Sequence, residues 1–491
     1  MAERGRQLRR LALSASIILL ASLLQFHHLT RDQRFQPDEA YFMTFARSAA
    51  VNGDWLLPGA LDKPPLSLYL SALSMAAFGN TADAAGVLHL DPHVGEFAGK
   101  LPNVMLALLL TALMMRLAWR VYRDETACLL AGLLTAISPY MLAFGASAFT
   151  DMGLLFSVAA TLYLALSGRW SMVGAALGLA FWSKQQAVFV AVFLLAILVA
   201  RGRKRGEWLR FLLPLSAIIA ALLLWDAARP ETSIFLQAAA NNAPSQWLAE
   251  PSAWFDRLLI WLESAAWLLG PPPVTVLLLA LATLAVMRRN GDSHPTPALI
   301  AIFVGAATLY SAMHIVFSFN LYDRYLLLVL PILVLPVAGG IAALCRSFAR
   351  YRVLEIVVAA LLLSAIWISD GMQIGGDRSA YVGIDKLAQH LNGKPVATVI
   401  YDPWLGWQLG YYLGTWQDKR RVHYPTAEAL VEGALALNET GDRYLAAPVD
   451  QSHEDWLLAL NDAGFVLERD YARDNFVVYR LSPPWGQTPK D

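Results

Sequence analysis
The chain has 491 residues, 57% of them hydrophobic and only 15% charged, with a mean hydropathy of +0.46, which excludes an ordinary water-soluble domain. Its 38 basic and 38 acidic residues cancel, and the basic ones are scattered over short loops with no continuous stripe, which excludes a nucleic-acid partner. Two cysteines, Cys128 and Cys345, make no disulfide framework and have no zinc-type spacing, so they are predicted to be small buried residues.

At the N-terminus Arg4, Arg6, Arg9 and Arg10 precede an apolar run from Leu11 to Leu24. No small-residue cleavage site follows, so the run is predicted to stay as a first membrane span. Further spans are expected near 100–121, 125–143, 151–167, 171–183, 186–200, 208–228, 271–287, 297–317, 324–345 and 352–369, giving about eleven with the first at 10–29. Basic clusters at Arg116, Arg120 and Arg123, at Arg201, Arg203, Lys204 and Arg205, at Arg288 and Arg289, and at Arg346, Arg350 and Arg352 mark the cytoplasmic side. An odd count then puts residues 30–99 and the tail outside. Two shorter apolar segments, Leu66–Phe78 and Trp254–Leu269, are expected to lie in or re-enter the outer interface, and the parity changes if the second crosses. Gly174 and Gly178 are spaced for close helix packing.

After Gly371 the composition turns polar. Strands are predicted over Val396–Tyr401 and Tyr444–Pro448, helices over Trp404–Gly414 and Glu454–Ala463, and a strand pair over Phe465–Glu468 and Phe476–Leu481. The expected architecture is an α-helical polytopic membrane protein, residues 1–370 with 30–99 as an outer loop, followed by a small extracytoplasmic α/β domain over 371–491. That domain is expected to cover the membrane part or hold an acceptor.

Charges kept in an apolar chain are costly, which makes those near the outer face the functional candidates. The first outer loop reads Arg34-Phe-Gln-Pro-Asp38-Glu39-Ala-Tyr41, then Gly53-Asp54-Trp55, then Asp62-Lys63-Pro64-Pro65. Pro37 and two acids open a predicted helix, where both carboxylates suit the first turn; stabilisation of that turn is the structural alternative to chemistry. Asp151 begins another apolar helix, with an N-cap as its alternative role. Lys63, Lys100, Lys184 and Arg324 supply positive charge near the same face, to pair with the acids or to snorkel. His89, Asp91 and His93 have metal-ligand spacing, although a polar surface insertion accounts for them better. No cofactor is called for, and a divalent metal stays open.

The order Pro37-Asp38-Glu39-Ala-Tyr41, Gly53-Asp54-Trp55-Leu-Leu-Pro58, Asp62-Lys63-Pro64-Pro65-Leu66, Phe78-Gly79, Lys100-Leu101-Pro102, Ala148-Phe-Thr-Asp151, Trp182-Ser-Lys184 and Asp323-Arg324-Tyr325-Leu326-Leu327 resembles the GT-C membrane glycosyltransferases. The nearest groups are protein O-mannosyltransferase-like enzymes and the aminoarabinose transferases that modify lipid A. Many relatives carry Arg where Lys100 stands, and residues 80–96 look like an insertion. The resemblance implies transfer, with inversion, of a sugar from a polyprenyl-phosphate donor to a glycolipid, polysaccharide or protein acceptor at the outer face of the cytoplasmic membrane. Physical chemistry then assigns Asp38 as general base, since an acceptor hydroxyl needs a carboxylate to receive its proton, with Glu39 or Asp151 orienting the acceptor or the sugar, and Lys63, with Lys100 and Arg324, binding the departing phosphate. Tyr41, Lys184 and Tyr325 join the pocket. The competing class, a lipid or polyprenyl-sugar flippase, is disfavoured by the absence of repeated halves and by charges gathered at one surface.

Overall fold
The computed structural model describes residues 2–200, 205–244, 246–287, 297–347, 353–357, 359–361, 374–437 and 442–486. The chain forms two compact units, one of residues 1–31, 56–70 and 100–376, the other of 32–55, 71–99 and 377–491. The sequence reading grouped 30–99 with the membrane part; 32–55 and 71–99 instead pack with the C-terminal residues.

The first unit is helical. Ala2–Leu29, Pro92–Tyr122, Arg205–Ala228 and Leu330–Ser347 each contain a stretch long and apolar enough to cross a membrane. A fifth crossing arises if Glu125–Ile137 and Pro139–Gly145, bent by 53°, are one span. The break falls where Pro139 supplies no amide, and the buried Ser138 hydroxyl donates to the Leu268 carbonyl at 2.7 Å. Asp151–Leu166, Trp170–Ser183 and Pro272–Met287 are apolar but shorter. Sixteen residues of helix reach about 24 Å against a core of about 30 Å, so the flanking turns must complete those expected spans. The predicted span 352–369 falls largely outside the described residues, as do Arg201, Arg203, Lys204, Arg288, Arg289, Arg350 and Arg352.

The expected close packing at Gly174 and Gly178 is present. A Cβ on Gly174 would sit 2.0 Å from the Phe211 carbonyl oxygen, and one on Gly178 would sit 2.8 Å from Ile218, both on helix Arg205–Ala228. Helix Pro92–Tyr122 starts eight residues before the predicted span because Asp91 caps it, its Oδ1 accepting the His93 and Val94 amides at 2.9 and 3.1 Å. That bond gives Asp91 a local role.

The second unit contains a hairpin, β1 (Asn80–Ala82) with β2 (Leu88–Leu90), and a five-stranded sheet. The sheet comprises β3 (Val399–Tyr401), β4 (Arg420–Val422), β5 (Arg443–Pro448), β6 (Val466–Arg473) and β7 (Phe476–Ser482) in the order β4-β3-β5-β7-β6. β3 is parallel to β4 and β5; β7 is antiparallel to β5 and β6. Its core gathers Val399, Tyr401, Leu430, Leu445, Phe465 and Leu481. β3 is shorter than predicted because Ala397 adopts a φ of 63°, outside strand geometry. Edge strand β4 and helix Ala427–Ala436 went unpredicted, although Thr426 caps that helix by accepting the Ala429 amide at 3.2 Å.

Helix Pro37–Asn52 begins at Pro37, as read from the sequence, and packs on helix Gly406–Tyr412. The buried Arg47 guanidinium donates to the carbonyls of Gly410, Tyr411 and Gly414, closing the C-terminal end of the shorter helix, and lies 4.6 Å from the Tyr411 ring centroid. Burial lowers the Arg47 pKa from its ordinary value, while Tyr411 opposes that shift.

Candidate active site
Helices Asp151–Leu166 and Trp170–Ser183 are joined by a short turn, so the first residue of one lies beside the residue following the other. Asp151 and Lys184 therefore meet, with Nζ 2.6 Å from Oδ1 and both side chains 5% exposed. Gly153 permits this close approach, since a Cβ there would lie 2.9 Å from the hydroxyls of Ser67 and Ser183. Burial brings the Lys184 pKa down to about 8; Asp151 opposes the shift, and the charges of Arg324 and Lys63 add to it. Four sequence candidates are thus electrostatically coupled, and a fifth, Tyr325, has its ring centroid 5.1 Å from the Lys184 ammonium.

Lys63 donates to Asp62 at 2.7 Å. Asp62 is itself held by Gln185, which donates to its carbonyl at 2.8 Å, and by Asn241, which donates to its carboxylate at 3.3 Å. Asn241 arrives on helix Ile234–Asn242, an element the sequence reading omitted; Asp226 fixes its start by accepting the Ile234 amide at 2.9 Å. Arg324 lies 4.7 Å from the centroids of both Phe149 and Tyr322. Its neighbour Asp323 accepts the Gly375 amide at 2.7 Å, and burial raises that carboxyl above its usual range despite this bond and the Arg324 charge.

A cavity of about 210 Å³ opens here, lined by Lys63, Lys184, Gln186, Asn242 and Tyr325 among others. The buried Gln186 Oε1 has no hydrogen-bond partner among the described residues. A second, almost wholly apolar cavity of about 80 Å³ lies among Val158, Phe193, Phe303 and Ile332, and the two share Phe189. The amides were not named from sequence; two of them, Gln185 and Gln186, stand directly after Lys184.

The other candidates have different surroundings. In the second unit Asp38 is half-buried on the first turn of its helix and helps, after burial, Asp377 and Asp450, to hold the Tyr381 phenol above its ordinary value. Glu39 is fully buried, accepting the Gln36 amide at 3.0 Å and both Arg378 amino groups at 2.8 and 3.3 Å. Arg378 had no visible signal in the sequence. Its replacement by Ala would leave Glu39 without this partner and is expected to cost about 3 kcal/mol, measurable as a lower thermal midpoint; an unchanged midpoint would reject a structural role for the pair. Tyr41 packs 4.9 Å from the Trp407 ring. Lys100 is buried inside helix Pro92–Tyr122.

Of the proposed metal ligands, His89 pairs with Asp83 at 3.2 Å, while His93 stands 3.5 Å from both Glu96 and Asp385. Among the described residues no group of three or more His, Cys, Asp or Glu side chains is arranged to hold a metal ion.

The architecture is that of a polytopic helical membrane protein. Residues 62–226 match the family model described as dolichyl-phosphate-mannose-protein mannosyltransferase. Among curated proteins, the undecaprenyl phosphate-alpha-4-amino-4-deoxy-L-arabinose arabinosyl transferase of Pectobacterium atrosepticum is 25% identical over 226 residues. That match spans 43% of this chain and 38% of the relative. The fold matches ArnT from Cupriavidus metallidurans in the apo state, with a TM-score of 0.64 and 15% identity over 100% of both chains. It also matches that protein bound to undecaprenyl phosphate, at 0.63 and 15% identity over 95% of this chain and 97% of the other. The chain is thus similar over residues 62–226 to a mannosyltransferase family model, and its fold is like that of ArnT.

Proposed function
We propose that this protein transfers a sugar from a polyprenyl-phosphate carrier to an acceptor hydroxyl at the outer face of the cytoplasmic membrane. The observation that carries the reading is the pair of cavities sharing Phe189: one holds Lys63 and Lys184, the other is apolar and lies among the helices. A polyprenyl monophosphate has the same division, an anionic head on a hydrocarbon tail. The family model and the curated relative are named for mannosyl and aminoarabinosyl transfer from such carriers, and one matching structure is described as bound to undecaprenyl phosphate.

In this reading Lys63, Lys184 and Arg324 offset the charge that gathers on the departing phosphate, with Lys100 as a further cation. Asp151 keeps Lys184 protonated. Gln186 Oε1 suits a sugar hydroxyl as donor. Asp38 takes the proton from the acceptor hydroxyl as its oxygen attacks the anomeric carbon, which inverts as the carbon–phosphate oxygen bond breaks. Glu39 and Tyr41 shape the acceptor side. The tail domain is extracytoplasmic, and the acceptor is a glycolipid, polysaccharide or protein.

Labelled polyprenyl-phosphate sugar in proteoliposomes tests this directly. Release of polyprenyl phosphate with the label on an acceptor is expected; movement of intact donor across the bilayer without cleavage would make the protein a flippase. Lys63→Met should lower kcat/KM for donor by about tenfold to a hundredfold, the size of one charge-assisted hydrogen bond. An unchanged kcat/KM would remove Lys63 from the phosphate site.

A further inference from the structure
The first unit carries another cavity, of about 410 Å³, to which the proposed reaction gives no role. Arg10, Arg116, Trp119 and Glu125 form its polar part. Arg116 shares a hydrogen bond with the Tyr163 hydroxyl. Tyr163 lies twelve residues along the helix that begins at Asp151, or about 18 Å away at the helical rise, so this cavity stands at the far end of that helix from the Asp151–Lys184 pair.

Arg10 pairs with Glu125 at 3.1 Å, and its guanidinium lies 4.2 Å from the Trp119 ring centroid. An ion pair with partners 39% and 41% exposed adds little to stability, and a solvated pair of that kind needs neither a second arginine nor an enclosing cavity. Two guanidinium groups and one carboxylate line the space, a net of one positive charge. Beside and below the charges the lining is mainly apolar: Leu11 and Ser14 lie one and four residues past Arg10 in the first helix, Met115 and Ala112 one and four residues before Arg116 in another, and Leu129 four residues past Glu125. The polar rim and the apolar floor thus keep the same order along both helices.

We propose that this cavity seats an anionic glycerophospholipid, its phosphodiester between Arg10 and Arg116 and its acyl chains over Leu11, Ala112 and Met115. The planar guanidinium fork matches the phosphate oxygens, and stacking on Trp119 holds Arg10 ready to receive them. Tryptophan suits the headgroup level, and basic pockets between membrane helices are established as headgroup sites. The net charge matches one phosphodiester. The lipid is bound and not consumed, so the inference depends on membrane embedding and not on sugar transfer.

Native mass spectrometry of the full chain released from detergent, after incubation with phosphatidylglycerol, phosphatidylethanolamine or diacylglycerol, tests it. Phosphatidylglycerol should be retained about tenfold over either other lipid. Arg10→Gln combined with Arg116→Gln should abolish that preference, whereas Arg4→Gln with Arg9→Gln should leave it. Equal retention of phosphatidylglycerol and phosphatidylethanolamine by the wild type would overturn the proposal, as would an unchanged preference in the first variant pair. A second measurement needs no variant. Cys128 lines the cavity and is half-buried, while Cys345 is buried, so phosphatidylglycerol should slow maleimide labelling of Cys128 several-fold. Equal labelling rates with phosphatidylglycerol and diacylglycerol would also refute the site.

Discussion

Asp38→Asn is expected to lower sugar transfer by about a hundredfold or more while the protein stays folded and inserted. The substitution removes a base but almost no volume, and the half-buried position on a first helical turn tolerates the amide. Glu39→Gln is the instructive neighbour. Glu39 already receives the Gln36 amide and the Arg378 fork, so its loss should register in thermal stability before it registers in the rate. Initial rates at saturating donor, measured beside thermal melts of both variants, separate the two roles. Residual activity above about a tenth of wild type in Asp38→Asn would end its assignment as base.

The second large effect is expected at Asp151, and its signature is pH dependence. Burial drives Lys184 toward neutrality and Asp151 opposes it, leaving a pKa of about 8. The ammonium is therefore charged below that value and lost above it, so wild-type donor affinity should fall as pH rises past 8. Asp151→Asn removes the opposing charge and moves the same loss to lower pH. At pH 8 the variant should bind donor about thirtyfold more weakly, and at pH 6 the gap should narrow to less than about fivefold, since each unit of pKa is a factor of ten. Lys184→Arg should abolish the alkaline limb in the wild-type background, because a guanidinium stays protonated throughout. A defect in Asp151→Asn of equal size at pH 6 and pH 8 would show that the carboxylate acts in some other way.

Much of the helical part was legible because its signal is local. Apolar runs from 125 to 143, 151 to 167 and 171 to 183 correspond to helices within a few residues, and Leu66–Phe78 is reproduced to the residue. What escaped depends on partners remote in sequence. Helix Pro92–Tyr122 begins early because of one Asp91 side chain, and β4 reads Arg-Arg-Val, which looks like a loop until β3 is placed beside it. The candidate residues show the same division. Asp151 and Lys184 could be named singly as charges out of place, and Tyr325 through the family resemblance. Their coupling arises from two helices folding back on each other, and Asn241 and Asn242 reach the same region on a helix with no long apolar pattern.

The second unit is assembled from three separate stretches of chain. Phe35 donates its amide to the Tyr412 hydroxyl at 2.7 Å, Gln408 returns a bond to the Phe35 carbonyl at 2.7 Å, and Arg34 and Tyr412 converge on Glu96. During synthesis, residues 32–99 leave the ribosome long before Tyr412 and Gln408 exist. Those early segments must wait, their polar groups unmet by their eventual partners, until almost the entire polypeptide has been made. A premature stop near residue 376 would therefore delete more than a tail: it would take from the opening loop the Tyr412 and Gln408 partners of Phe35 and the Arg378 partner of Glu39.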